Sequence, residues 1–110
     1  MLVAFSVAPS GGGADSSGSV SAAVAAAVRV VRDSGLPHRT SSMFTEIEGE
    51  WDEVMTVVKQ CVDVVADVAP RVSLVLKADV RPGFTGQIDA KVARVEEHLG
   101  SDAATAAPEV

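Results

Sequence analysis

Hydrophobic positions along the chain change period several times, and each change marks a predicted element. Short runs that are apolar throughout or alternate with polar residues indicate β-strands, whereas apolar residues at every third or fourth position indicate amphipathic helices. On this basis the sequence predicts the order strand, helix, strand, strand, helix, strand, helix. The predicted strands are 2–8, two arms of a hairpin within 38–50, and 71–80, and the predicted helices are 19–34, 51–67 and 88–100.

Turn and capping residues set the boundaries of these elements. Pro9 ends the first strand, and Ser34-Gly35 stops the first helix. Ser19 or Ser21 is expected to cap the start of that helix with its hydroxyl, because serine is a favoured N-cap residue. Gly100 is expected to end the third helix.

The order of the predicted elements matches the β-α-β-β-α-β plan of ferredoxin-like domains. We therefore predict an α+β fold in which helices cover one face of an antiparallel sheet and an extra helix follows at the C-terminus. Residues 1–100 are expected to form a single domain, with a flexible loop over 10–19 and a disordered tail over 101–110. The other face of the sheet is expected to lack cover from its own chain, which predicts an oligomer.

Composition and charge exclude several classes of function. The chain has 110 residues, enough for one domain, and 9 Lys+Arg against 15 Asp+Glu give a net charge of −6. Nucleic acid and anionic lipid both require a basic footprint, so neither is an expected partner. The apolar run 22–31 is too short to span a bilayer, and 1–9 lacks the basic start of a secretory signal. The expected location is the cytoplasm.

Motifs that carry catalysis or metal binding are not found in the sequence. There is no glycine-rich phosphate loop followed by Lys, no His-Glu-x-x-His motif and no cysteine pair. His98 suits a surface position near the C-terminal end of a helix, and Cys61 falls on an apolar stripe as a buried small hydrophobe. The sequence therefore predicts no enzyme, no catalytic residue, no metal and no cofactor.

An acidic run, 45–51, stands where the second hairpin strand passes into the second helix. Alternation places Glu46 and Glu48 on one side of the strand, with Thr45 and Ile47 on the other. Carboxylates and a hydroxyl at such a junction can face a ligand, but a solvated acidic strand end that complements the helix dipole explains the same pattern. Both interpretations stay open on the residues alone.

Several stretches of the chain are similar to a known family. They are 5–9 (FSVAP), 34–36 (SGL), 45–55 (TEIEGEWDEVM), 71–73 (RVS) and 77–81 (KADVR). Together they resemble the small thiamine-binding protein family, and the resemblance extends from Leu2 to Leu99. The stretch 45–55 is its most specific part.

The resemblance implies a ferredoxin-like fold, dimers that pair as homotetramers, a cytoplasmic location and no catalytic activity. It also implies binding of thiamine (vitamin B1), or of its hydroxymethylpyrimidine part, near a subunit interface. A thiazolium cation and an aminopyrimidine suit an acidic pocket with an apolar wall and a polar group that faces the amino group. The net charge of −6 is compatible with such a ligand.

Residues that match the family pattern supply the expected site. Ser6 and Thr45 are expected to hydrogen-bond the ligand, and Glu48 is expected to meet its aminopyrimidine or its cation. Trp51 either lines the site or fills the core at the head of the second helix. Lys77 is expected to contact the ligand or to orient Glu48.

This chain departs from the family pattern at the hairpin turn. Phe44 stands where relatives usually carry a small residue, and Ser41-Ser42 replaces a typical His-Pro pair. A ring at this position either stacks on a pyrimidine or fills the site. The only cations expected nearby are Lys77, Arg71 and Arg81, which favours an unphosphorylated ligand.

Two other classes of function stay open. In one, the open sheet docks a protein partner and small-molecule binding has been lost, because Phe44 fills the site. In the other, an enzyme acts on a pyrimidine through Glu46 or Glu48 together with His38. The second class requires the fold to bring these groups within hydrogen-bond reach.

Overall fold

A computed structural model of the chain describes residues 1–11 and 20–105, with side chains described as far as residue 100. The elements are β1 (Leu2–Ser10), α1 (Ser21–Asp33), β2 (His38–Thr40), β3 (Thr45–Glu48), α2 (Trp51–Ala66), β4 (Arg71–Asp79) and α3 (Gln87–Thr105). This order confirms the succession of strands and helices that the hydrophobic period predicts.

The four strands form one sheet with the order β2-β3-β1-β4. All neighbouring pairs are antiparallel, which confirms the predicted ferredoxin-like α+β fold. β1 pairs with β4 along its whole length, but it pairs with β3 only as far as Phe5, which lies opposite Thr45. Beyond Phe5, one edge of β1 therefore has no strand beside it in the described part of the chain.

α1 and α2 lie side by side on one face of the sheet and close the hydrophobic core against it. Alternation in β1 directs every second side chain towards these helices, and α2 contributes the apolar stripe that its period predicts. In α1 the buried face is Ala23, Ala27 and Val31, so the predicted valine stripe is wrong apart from Val31. The core consists of Val3, Phe5, Val7, Ala27, Val31, Ile47, Val54, Val57, Val58, Cys61 and Val65. Because burial of one such valine stabilises the fold by about 1.5–3 kcal/mol, this layer fixes the frame that carries the site.

Contacts at the helix starts differ between α1 and α2. α2 begins with a capping box, in which the backbone amide of Glu50 donates to the Glu53 carboxylate at 3.1 Å. In α1 the N-cap is Val20, and Ser21 is the first helical residue. The prediction that Ser21 caps α1 is therefore wrong, and Ser19 lies outside the described residues.

The first turns of α3 lie at one end of the sheet face that is opposite α1 and α2. Arg39 and Asp79 belong to that face by their register, and they form ion pairs with Asp89 (2.7 Å) and Lys91 of α3. α3 therefore covers only this end of a face that otherwise stays open as far as the structure describes the chain, as Val75 of β4 and most of α3 are exposed. The apolar period of α3 could not indicate this docking, because polar and charged contacts guide it.

α3 also runs past Gly100, where the pattern predicts its end, and continues to Thr105. Two alanines follow within this stretch, and alanine is the residue that best tolerates a helix, so a single glycine does not stop it. The predicted disordered tail thus begins inside a helix. Residues 106–110 and most of the predicted flexible loop, 12–19, lie outside the described residues.

No helix within residues 1–11 and 20–105 combines the length and the hydropathy that a membrane span requires.

Candidate functional site

The candidate site is a cavity between α1 and the strand ends, called here the α1 cavity. It lies where the pairing of β1 with β3 stops and the chain turns between β2 and β3. Its volume is about 110 Å³. It is lined by Phe5, Ser6, Val7, Val24, Ala27, Val28, Val31 and residues 40–45. The lining is therefore mostly apolar, with hydroxyl groups from β1, from β3 and from the turn.

Ser6 and Thr45, the residues expected to hydrogen-bond a ligand, both line the α1 cavity. Thr45 is 9% exposed, and neither hydroxyl makes a hydrogen bond among the residues that the structure describes. Alternation places the two side chains on opposite faces of the sheet, and Ser6 borders the cavity because β1 has no neighbour on this edge beyond Phe5. A hydroxyl donates one hydrogen bond and accepts two, so the Thr45 hydroxyl on the cavity face is available to a ligand, and Ser6 borders the cavity at the open edge of β1.

Phe44 stands on the rim of the α1 cavity and is 36% exposed. The turn holds its backbone in place, because the amide and the hydroxyl of Ser41 both donate to the Phe44 carbonyl at 2.9 Å. Met43, at the tip of the same turn, is largely exposed. The cavity of about 110 Å³ persists beside the Phe44 ring, whose face can stack on a planar ligand.

Glu48 has a structural role at the start of α3. It is buried, and its two carboxylate oxygens accept the backbone amides of Gln87 (3.0 Å) and Ile88 (3.2 Å). A carboxylate at a helix N-terminus satisfies unpaired amides and complements the helix dipole. Glu48 thus anchors α3 to the sheet, and its expected contact with a ligand stays a prediction.

Trp51 lies at a second cavity, called here the α2 cavity, beyond the end of β3. The volume of this cavity is about 510 Å³, and its lining also includes Glu48, Glu53, Arg81 and Phe84. Trp51 is 56% exposed, so the alternative that it fills the core is wrong. The Arg81 guanidinium lies 3.5 Å from the centroid of the Phe84 ring, a cation–π contact that orders this rim.

Lys77 lines neither cavity. It is exposed on β4 opposite Ala4, and it has no hydrogen bond to Glu48. Its charge acts on Asp79, whose pKa is lowered mainly by the hydrogen bond and the charge of Lys91, with smaller contributions from Arg81 and Lys77. The structure thus brings Ser6, Phe44 and Thr45 together and leaves the other expected site residues elsewhere.

Two arginines beside the α1 cavity escaped the sequence interpretation. An open groove, called here the arginine groove, has a volume of about 740 Å³ and is lined by Arg29 and Arg32 of α1. It shares Val24, Val28 and Ser42 with the α1 cavity, so the two lie next to each other. The prediction that the only nearby cations are Lys77, Arg71 and Arg81 is therefore wrong. The spacing of three positions on α1 was the available signal.

Cys61 and His38 have no catalytic arrangement in the structure. Cys61 is fully buried, its thiol lies 3.4 Å from the Ala27 carbonyl, and burial raises its pKa to about 11, so it behaves as the predicted small hydrophobe. His38 lies opposite Ile47, and strand alternation puts its side chain on the face away from Glu46 and Glu48.

Because His38 lies on the opposite face of the sheet from Glu46 and Glu48, the structure gives no support to an acid–base pair between them. No group of His, Cys, Asp and Glu within the described ranges could hold a metal ion.

Fold and site together define a small ferredoxin-like α+β protein with a ring-sized apolar cavity at the edge of its sheet. The chain belongs to the thiamine-binding protein family, because the model of that family, described as "Thiamine-binding protein", matches residues 3–96. This membership confirms the resemblance that the 45–55 stretch carries.

Relatives and solved structures agree with this assignment. A UPF0045 protein of Mycobacterium bovis is 55% identical over 100 residues, which cover 90% of this chain and 94% of that protein. A hypothetical protein of Methanocaldococcus jannascii is similar in structure, with a TM-score of 0.76 and 31% identity over 87% of this chain and 95% of that one. A candidate thiamine biosynthesis or salvage protein of Thermotoga maritima shares the fold, with a TM-score of 0.68 and 24% identity over 84% and 97%.

Proposed function

We propose that this protein is a non-catalytic, cytoplasmic binder of thiamine or of its hydroxymethylpyrimidine part, and that the ligand occupies the α1 cavity. The observation that carries the proposal is the pair of hydroxyls, Ser6 and Thr45, that have no partner in the described chain and line an apolar cavity in a member of the thiamine-binding protein family. Such a protein acts as a carrier, buffer or sensor of the vitamin.

The pyrimidine ring is the part of the vitamin that suits the α1 cavity. Ligand pockets usually have volumes of roughly 300–1,000 Å³, whereas this cavity has about 110 Å³ and accommodates a single ring. The Thr45 hydroxyl is suited to a ring nitrogen or to the amino group, and Phe44 offers a stacking face. The remaining part of the ligand then extends into the arginine groove.

We also propose that copies of the chain assemble as a dimer of dimers. Exposed apolar residues support this, namely Val75 on the sheet and the stripe of Val92, Val95 and Leu99 on α3. The unpaired edge of β1 beyond Phe5 borders the α1 cavity, so a neighbouring copy at this edge completes the wall of the site. Such an arrangement agrees with the interface location that the family resemblance implies.

Replacement of Thr45 by valine tests the site. Thr45→Val keeps the β-branched shape and removes the hydroxyl, so we expect hydroxymethylpyrimidine affinity to fall about five- to tenfold, the value of one hydrogen bond. Isothermal titration measures this change. Thr56→Val is the matched control, because Thr56 is exposed on α2 and lines neither cavity. Equal affinity of the Thr45→Val variant and the parent would contradict the proposed site.

A further inference from the structure

The arginine groove extends the α1 cavity along the outer side of α1. Val24 and Val28 line both spaces, one turn apart, and Ser42 of the hairpin turn borders both from the opposite side. A ring in the α1 cavity whose substituent points past Val24 and Val28 brings that substituent towards Arg29 and Arg32, which follow on the same helix. The groove is open, so a charged substituent there keeps part of its hydration.

Arg29 and Arg32 are available to a ligand. Both are exposed, and neither forms an ion pair or a side-chain hydrogen bond within residues 1–11 and 20–100. Asp33 is the one carboxylate among the described residues that lines the same groove. The C-terminal end of α1 carries the negative end of the helix dipole, which opposes an anion. The two guanidinium groups therefore supply the attraction for any anion bound here.

We infer that the preferred ligand is a phosphate monoester of the hydroxymethylpyrimidine, with its ring in the α1 cavity and its phosphate in the arginine groove. This inference rests on the proposed function, since it specifies the ligand class of the same site. Guanidinium groups bind phosphate through paired, charge-assisted hydrogen bonds, and the Ser42 hydroxyl adds a donor on the facing side. The sequence alone predicts an unphosphorylated ligand, from the positions of Lys77, Arg71 and Arg81. Arg29 and Arg32 favour a phosphorylated ligand instead.

The same two charges disfavour the complete vitamin. With the pyrimidine in the α1 cavity, the thiazolium cation of thiamine enters the arginine groove and meets Arg29 and Arg32. Like charges at short range repel each other, and Asp33 offsets only part of this repulsion. The phosphate ester therefore binds more tightly than the free alcohol, and the free alcohol more tightly than thiamine.

Competition titration of the full chain tests this order. The ligands are hydroxymethylpyrimidine, its monophosphate, thiamine, thiamine monophosphate and inorganic phosphate. We expect the pyrimidine monophosphate to bind at least about tenfold more tightly than the alcohol, as expected for hydrogen bonds to a charged group. Inorganic phosphate alone is expected to compete weakly, because it lacks the ring.

A double variant, Arg29→Gln with Arg32→Gln, isolates the cause. We expect the monophosphate and the alcohol to bind this variant equally. Arg71→Gln is the control, because Arg71 is exposed at the start of β4 and lies outside both spaces, and it should keep the tenfold preference.

Three results overturn the inference alone, and the first two are equal binding of alcohol and ester by the parent and a preference that survives in the double variant. Tighter binding of thiamine monophosphate than of the pyrimidine monophosphate also overturns it. Binding of none of the pyrimidine ligands by the parent overturns the proposed function itself, so the two failures are distinguishable.

Discussion

Thr45 and Glu48 belong to the same short strand, but their side chains have different roles. Thr45 faces α1 and leaves its hydroxyl to the α1 cavity, whereas Glu48 is on the opposite face and holds the first amides of α3. Strand alternation separates them, and the three intervening steps carry them to different ends of β3. The sequence predicts the alternation correctly, but it cannot show that the first amides of α3 donate to the Glu48 carboxylate.

Glu48→Gln distinguishes the structural role of Glu48 from ligand contact. Glutamine has the same shape but no charge and a single carbonyl acceptor, so it holds α3 less well. We expect the free energy of unfolding to fall by about 1–2 kcal/mol, in the range of a lost helix cap. Denaturant unfolding measures this loss.

The ligand affinity of Glu48→Gln is expected to change less than about twofold, because Glu48 does not line the α1 cavity. Glu46→Gln, on the same face of the same strand, is the control for charge alone. A large loss of affinity with unchanged stability would show instead that Glu48 contacts the ligand.

At the scale of elements, the hydrophobic period predicts the sheet and the two core helices, but it does not predict how α3 packs. The apolar faces of β1, β3 and α2 are buried where periods of two and about 3.6 predict them. β4 packs only Val72 and Leu76 against the core, and β2 is exposed. α3 buries only Ile88 of its apolar stripe, and ion pairs with Arg39 and Asp79 secure its first turns. Such contacts join residues far apart in sequence, and no local pattern indicates them.

Lowering the pH should loosen α3. The pKa of Asp79 in the folded protein lies below its ordinary value of 3.8, chiefly because of Lys91. The stabilising contribution of Asp79 is therefore fully present above that ordinary value and is lost as the pH falls through the lower folded-state pKa. NMR titration between about pH 5 and pH 2, the range in which carboxyl groups titrate, measures the pKa of Asp79. Hydrogen exchange of the α3 amides over the same range measures the loosening of the helix.

Lys91→Met should return the pKa of Asp79 towards its ordinary value and raise the exchange of α3 amides at neutral pH. Lys59→Met is the control, because Lys59 forms an exposed ion pair with Asp63 within α2 and should leave α3 unchanged. An unchanged Asp79 titration in Lys91→Met would contradict this account of how α3 is held.

At the scale of the whole molecule, the fold and the family follow from the sequence further than the site does. Ser6, Phe44 and Thr45 line one cavity, because they flank a single strand end. Arg29 and Arg32 were missed, since α1 was interpreted only by its apolar stripe and the groove exists only once the hairpin turn packs beside it. Sites made by neighbouring elements depend on tertiary packing, which a linear pattern does not contain.

Assembly is the property of the whole molecule that the exposed stripe of α3 predicts. Val95→Asp places a charge within that stripe, and we expect it to shift the protein from tetramer towards dimer or monomer at micromolar concentration. Ala93→Asp adds the same charge on an exposed position of α3 outside the stripe, and it should leave the assembly intact. Light scattering coupled to gel filtration measures the mass. A parent protein that is already monomeric contradicts the proposed assembly.

The most direct test of the central claim is isothermal titration of the parent protein with hydroxymethylpyrimidine and with thiamine, with concentrations referred to subunits. Binding to the α1 cavity predicts saturable heat with one site per subunit and a thermal shift that rises with ligand concentration. Absence of both heat and thermal shift at millimolar ligand would contradict the claim, and the protein would then keep the family fold with its cavity closed to the vitamin.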